Sequence, residues 1–272
     1  MPMTSRASKW VKEHPVLAFY ILAFAISWAG YLPGLAYTHG LFPFQSALFF
    51  VLGGVGPTLA AVAVVYMLHG KDGPKELFRP LTRWRVGVLW YIVALLAYPA
   101  IWLVAVYLPG DVSLDVENLN PAMIIPLFIS SVLMNVWEEI GWRDFALPRL
   151  QARYSALASS LIVGVLWGLW HLPLLLMKGY PMASYPPVPF FVGIIAASVL
   201  YTWIFNGTGG SLLLVTLFHA AGNATAGFLG EGVDIPGAIP YTALVTFVAA
   251  VIVVALFGWE NLSRSGRTAS SA

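Results

Sequence analysis

The chain has 272 residues, of which 59% are hydrophobic and only 10% are charged, and its mean hydropathy is +0.80. Soluble domains carry about 25% charged residues, so the composition excludes a single soluble core and indicates a polytopic membrane protein. The formal net charge of +2 is small and gives no reason to expect nucleic-acid binding, while the lack of cysteine excludes disulfides, thiolate catalysis and cysteine metal sites.

Eight segments are long and apolar enough to cross a bilayer as helices, which requires about 20 residues each. In chain order the predicted spans are 16–38, 45–68, 87–108, 121–150, 155–177, 188–206, 211–229 and 238–258. The predicted fold class is therefore all-α. We expect one membrane domain over residues 16–260, with a cytoplasmic segment before it, 1–15, and a disordered cytoplasmic tail after it, 261–272.

The charges of the predicted loops favour one orientation. Basic residues precede the first helix and follow the second, fourth and eighth, whereas the opposite loops are acidic. Those acidic residues are Asp111, Asp115, Glu117, Glu231 and Asp234. Because cytoplasmic loops are enriched in Lys and Arg, both termini are predicted to be cytoplasmic. The short loops are typical of a bacterial protein, so we expect an integral, multi-pass protein of the plasma membrane.

Two segments in the first half of the sequence are predicted to have structural roles and no catalytic one. The glycines of GGVGP, 53–57, allow helices to approach closely and do not suggest a phosphate loop. The segment 69–87 mixes basic and apolar residues, which is typical of a cytoplasmic loop with an interfacial turn whose arginines reach water.

Three ionisable residues interrupt the fourth span, where Glu138 and Glu139 are adjacent and Arg143 follows one turn later. Each costs about 2.5–3.5 kcal/mol at bilayer depth, so all three must face protein or a water-filled cavity and find partners. The i, i+4 spacing of Glu139 and Arg143 favours an ion pair. That pair would leave Glu138 available for chemistry, although it could equally be a structural salt bridge that makes insertion tolerable.

Two histidines lie inside other spans, His171 in WGLWHLP of the fifth and His219 in the seventh. Asn223 follows His219 at i+4, so the two side chains share one helix face. Glu138 and His171 both lie roughly 24 Å from the turn near Tyr154, at about 1.5 Å per residue. His219 and Asn223 lie roughly 12–18 Å inside their helix. We therefore expect three helices to offer polar groups to one layer, although a single buried histidine is more often a hydrogen-bonded core residue.

The residues around these groups allow two further predictions. Tryptophan is enriched at bilayer interfaces, so an aromatic belt is expected from Trp137, Trp142, Trp167 and Trp170. Pro173 lacks a backbone N–H and predicts a bend directly after His171, which could open a cavity.

The polar residues form three spaced motifs, which are Glu138-Glu139-x-x-x-Arg143, Trp167-x-x-x-His171 and His219-x-x-x-Asn223. These motifs resemble the CPBP family, the type 2 CAAX prenyl endopeptidases and the bacteriocin-processing and abortive-infection-type membrane proteases. The resemblance covers about residues 120–230, and tryptophan stands at 167 where phenylalanine is common. It implies an intramembrane endopeptidase of eight helices with a conical, membrane-embedded catalytic cavity.

The resemblance also implies roles for the residues. Glu138 would be the general base, with His171 beside it on a water molecule, and His219 and Asn223 would stabilise the oxyanion. Glu139 and Arg143 would support and orient these groups. Peptide hydrolysis without a covalent intermediate requires such a base and such donors. The implied partners are the bilayer and a membrane-associated peptide or protein, with lipidated CAAX-type proteins as one candidate.

The residues leave open whether the predicted site binds a metal ion. The family is nominally one of metalloendopeptidases, and Glu138, His171 and His219 could supply three ligands to one divalent ion such as zinc. The same residues serve equally well without a metal, and the chain lacks the HExxH motif of zincins.

Three alternatives fit the sequence less well. A transporter or proton relay also uses buried glutamate and histidine, but it predicts inverted repeats, which the sequence does not show. A non-catalytic membrane scaffold or immunity protein would not need intact motifs. A serine dyad of Ser211 and His219 is disfavoured because eight helical residues separate the two by roughly 12 Å.

Overall fold

The computed structural model describes residues 6–110, 116–230 and 232–264, and this part of the chain is all-helical, as predicted. The α-helices are α1 (Arg6–Glu13), α2 (Pro15–Thr38), α3 (Ala47–His69), α4 (Gly73–Phe78), α5 (Val88–Tyr107), α6 (Ile124–Glu139), α7 (Leu147–Gln151), α8 (Ala156–Trp170), α9 (Leu172–Leu176), α10 (Pro187–Gly207), α11 (Leu212–Leu229) and α12 (Ile235–Phe257). A π-helix, Ile140–Ala146, joins α6 to α7. Short 3₁₀ turns occupy Gly70–Asp72, Arg79–Thr82, Val116–Asn118, Pro121–Met123 and Pro181–Ser184.

Within those ranges, eight helical runs are long and apolar enough to cross a membrane, and each overlaps one of the eight predicted spans. The predicted fourth span, 121–150, is the continuous run Pro121–Gln151. The largest difference is at the second, which continues past the predicted end at 68 to Thr82, because the short helices of 70–82 follow α3 without a break. The eighth begins at Ile235 instead of 238, with Pro236 accommodated in the first turn of the helix. The chain is therefore a multi-pass integral membrane protein.

The glycines of segment 53–57 bring α2 and α3 into close contact, as predicted. A methyl group on Gly53 would overlap the ring of Tyr31, and one on Gly56 would overlap Ser27. The same close approach extends to the π-helix, because a methyl group on Gly141 would lie 2.5 Å from the Cβ of Pro57. These contacts fix the position of the fourth span, which carries the two glutamates.

The π-helix was not predicted from the sequence. It follows directly after Glu139 and includes Arg143, and its residues Ile140, Trp142 and Phe145 are almost completely buried. A π turn holds an extra residue relative to an α turn and is frequent at functional sites. It changes the direction in which the following side chains project.

The segment 69–87 is folded around α4, and its Leu77 is buried while Arg83 and Arg85 are exposed. The predicted loop therefore contains a short helix. Its placement at a membrane interface stays a prediction.

The predicted disordered tail begins too early. Leu262 is buried, the backbone N–H groups of Ala156 and Leu157 donate to the carbonyls of Glu260 and Trp259, and Asn206 donates to the carbonyl of Asn261. The chain is thus packed through residue 264. The remainder of the predicted tail, 265–272, lies outside the described residues, as do residues 1–5 and the predicted acidic loop residues Asp111, Asp115 and Glu231.

Candidate active site

A cavity of about 780 Å³ lies among α5, α6, α8, α10, α11, α12 and the segment around Tyr180. It is lined by Glu138 at the end of α6, His171 at the end of α8, and His219 and Asn223 on α11. The prediction that three helices offer polar groups to one layer is therefore confirmed. Among the described residues, the cavity lining includes two acids, Glu138 and Asp234, and no lysine or arginine.

Glu138 is half-buried and is held by Trp167. The indole Nε1–H of Trp167 donates to Glu138 Oε2 at 2.7 Å. This contact occupies one carboxylate oxygen and leaves Oε1 available to the cavity.

His171 lies where the fifth span is interrupted, as Pro173 predicted. Its backbone N–H turns back to the carbonyl of Gly168, so the carbonyl of Trp167 lacks its usual helical donor and instead accepts from His171 Nδ1 at 2.8 Å. Because a carbonyl can only accept, Nδ1 carries the proton of the neutral ring. The lone pair is then on Nε2.

Glu139 and Arg143 lie behind the cavity wall, and both side chains are completely buried. Arg143 Nη1 lies 3.1 Å from Glu139 Oε1, which confirms the predicted ion pair. The same oxygen lies 2.7 Å from His219 Nδ1, a contact that the sequence did not predict. The Glu139–Arg143 pair therefore does more than lower the cost of inserting charges into the membrane, because Glu139 also orients His219, which lines the cavity.

The guanidinium of Arg143 is enclosed by two aromatic rings. Its central carbon lies 4.2 Å from the ring centre of Trp167 and 4.3 Å from that of Tyr201. Cations are attracted to such ring faces, most strongly where water is excluded. Arg143 is therefore held in place by Glu139 and by two rings.

Asn223 is held by Asn135, a residue that sequence reasoning missed. Asn223 Nδ2 donates to Asn135 Oδ1 at 3.1 Å, and Asn135 is buried. Its helical spacing could have indicated this residue, because Asn135 precedes Glu138 by three residues and Glu139 by four and so shares their helix face.

The predicted aromatic belt is wrong for three of its four members. Trp142, Trp167 and Trp170 are 0%, 4% and 1% exposed, and Trp137 alone of the four is exposed. The buried rings pack on one another and on the histidines, with 6.1 Å between the ring centres of Trp142 and Trp170 and 5.4 Å between those of Trp167 and His219. Of the three, Trp167 lines the cavity directly.

Tyr180 lines the same cavity from the segment between α9 and α10. Burial, and then the nearby Glu138 carboxylate, raise the pKa of its phenol. The hydroxyl is therefore protonated at neutral pH and can donate a hydrogen bond.

The predicted metal ligands do not fit one ion. No group of three His, Asp or Glu side chains is arranged to hold a metal in the portion of the chain described. We therefore derive no chemical step through a metal at Glu138, His171 and His219.

Ser211 is a helix cap. Its Oγ accepts from the backbone N–H of Leu214 and donates to the carbonyl of Arg83 at 2.6 Å, and the residue does not line the cavity. This placement agrees with the prediction that it does not form a dyad with His219.

Two comparisons with known proteins concern this region. Residues 120–225 match the family described as type II CAAX prenyl endopeptidase Rce1-like. The CAAX prenyl protease 2 of Methanococcus maripaludis is 29% identical over 136 residues, which cover 48% of this chain and 49% of that protein. The chain thus spans about half the length of the curated relative it matches.

All seven residues of the predicted motifs lie inside the matched region. The resemblance inferred from the three motifs is therefore confirmed: residues 120–225 are similar to the Rce1-like type II CAAX prenyl endopeptidases.

Proposed function

We propose that this protein is an intramembrane endopeptidase that hydrolyses a peptide bond of a membrane-associated protein or peptide. The observation that carries the proposal is the convergence of Glu138, His171 and His219 on one cavity among eight membrane-length helices. The similarity of residues 120–225 to type II CAAX prenyl endopeptidases supports the same reaction class.

Glu138 and His171 would activate the water. The carboxylate oxygen that Trp167 leaves free and the unprotonated Nε2 of His171 can both accept hydrogen bonds from one water molecule. Transfer of a water proton to Glu138 accompanies attack of the oxygen on the carbonyl carbon. The same carboxyl group then protonates the leaving nitrogen as the C–N bond breaks.

His219 and Asn223 would stabilise the oxyanion. Asn223 uses one N–H on Asn135 and has a second to donate. When the His219 ring is doubly protonated, Nδ1 donates to Glu139 and Nε2 donates into the cavity. Fixed donors in a water-poor site are among the largest contributions to acyl-transfer catalysis.

The substrate class that we propose for the first tests is a peptide carrying a lipid near its carboxyl terminus. Aromatic residues, among them Trp102, Tyr185 and Phe190, line the cavity and provide apolar surface. The name of the Methanococcus maripaludis relative supports this choice.

The test uses the purified full chain in lipid nanodiscs with quenched peptides, each made with and without a prenyl group. Glu138→Gln preserves the size of the side chain and removes the base, so the cleavage rate is expected to fall by roughly 10²–10⁴-fold. Full turnover by Glu138→Gln with normal abundance would refute the assignment. A parallel arm with a strong chelator tests the metal, and Glu138-dependent proton flux without cleavage would favour a transporter.

A further inference from the structure

Trp167 contacts four polar residues of the proposed site, which are Glu138, His171, Arg143 and His219. Its indole N–H donates to Glu138 at 2.7 Å, and its carbonyl accepts from His171 at 2.8 Å. Its ring lies 4.2 Å from the guanidinium of Arg143 and packs edge-on against His219. It is 4% exposed, so these contacts leave it little freedom to move.

We propose that Trp167 is the positioning residue of the site, whose indole N–H holds the Glu138 carboxylate in the orientation that delivers its free oxygen to the water. This inference rests on the proposed function. Trp167 acts through Glu138 and transfers no proton itself.

The hydrogen bond is specific to tryptophan among aromatic residues. Phenylalanine could pack on Arg143 and His219 in the same way, but it offers no donor to Glu138 Oε2. The terminal torsion of a carboxylate is broad, so an unheld group populates several orientations. A donor to a charged carboxylate makes a short and strong hydrogen bond that selects one of them.

The contact to His171 is independent of the indole. The backbone carbonyl of residue 167 is free to accept from His171 because α8 ends at Trp170. Replacing the side chain at 167 therefore keeps this contact and isolates the effect on Glu138.

The decisive variant exchanges Trp167 for 3-benzothienylalanine, in which sulfur replaces the indole N–H while the bicyclic shape is kept. We expect kcat to fall by about 10- to 100-fold, the range of a hydrogen bond to a charged group, with KM unchanged. Trp203 is the matched control, because its indole nitrogen is buried and has no partner among the described residues. It packs on Trp90 and Phe257, away from the cavity, so the same exchange there should leave kcat and KM as in the wild type.

A second readout does not depend on activity. In the ¹⁵N-indole spectrum of the full chain in micelles, Glu138→Leu removes the acceptor and is expected to shift the Trp167 signal while the Trp203 signal stays in place. An unmoved Trp167 signal, or a wild-type kcat in the benzothienyl variant, would overturn the positioning role. Absence of hydrolysis by the wild-type chain would instead overturn the proposed function, while the indole signal would still report the contact.

Discussion

At the scale of single residues, Glu139 is the centre of the buried charge. One of its oxygens meets both Arg143 and His219, so its negative charge supports a guanidinium on its own span and an imidazole on α11. A buried charge left without its partner is costly, because neither water nor protein then solvates it. The two members of the pair should therefore depend on each other far more than surface charges do.

Arg143→Met tests this dependence. It leaves Glu139 buried without its cation, so the free energy of unfolding in mixed micelles is expected to fall by about 3–5 kcal/mol. Lys75→Met is the control, because the Lys75–Asp72 pair is 81% exposed on both sides and its loss should leave the unfolding midpoint unchanged. Equal unfolding midpoints for the two variants would show that the buried pair contributes no more to stability than the exposed pair.

At the scale of helices, the π-helix and the contact of Gly141 with Pro57 determine how the fourth span faces its neighbours. Gly141 lies against the Cβ and backbone of Pro57, so the spans can approach only because residue 141 has no side chain. Since the π-helix begins one residue after Glu139, a shift of this contact would also turn the glutamates.

Gly141→Ala is expected to destabilise the protein by about 1–3 kcal/mol, the usual cost of overpacking, and to reduce the cleavage rate as well. Gly87→Ala is the control, since nothing lies within 4 Å of a methyl group there. Thermal unfolding and cleavage of the same quenched peptide measure both effects. Wild-type behaviour of Gly141→Ala would show that the spans can separate without disturbing the site.

At the scale of the whole molecule, six of the eight spans line the cavity, and the sequence predicts both termini on the cytoplasmic side. The chain has no cysteine, so single cysteines report topology without background. Lys178→Cys should react with an impermeant maleimide in intact cells, whereas Lys9→Cys should react only after permeabilisation. The reverse pattern would invert the predicted orientation, and labelling of both in intact cells would exclude the five crossings predicted between residues 9 and 178.

Much of this architecture could be predicted because its signals are local. Hydropathy located the spans, and the i, i+4 spacing of Glu139 and Arg143 predicted their ion pair. The contact of Glu139 with His219 could not be predicted, because it depends on how two helices are rotated against each other. That rotation follows from contacts such as Gly141 on Pro57 and from the π-helix, which leave no periodic signal.

The burial of the tryptophans could not be predicted from the sequence either. Their frequency at interfaces predicts a belt, but burial of Trp142, Trp167 and Trp170 is decided by packing against aromatic and charged partners from other spans. Trp167 in particular is a partner of Glu138 only because the tertiary structure brings the end of α8 to the end of α6.

The absence of lysine and arginine from the described cavity lining has a consequence for turnover. Breaking a peptide bond there would create a new carboxylate in a cavity that Glu138 and Asp234 also line. No lysine or arginine of the described lining would retain it, and like charges repel each other more strongly where water is excluded. The fragment that ends in the new carboxylate would thus be released readily, and product inhibition by free acids should be weak.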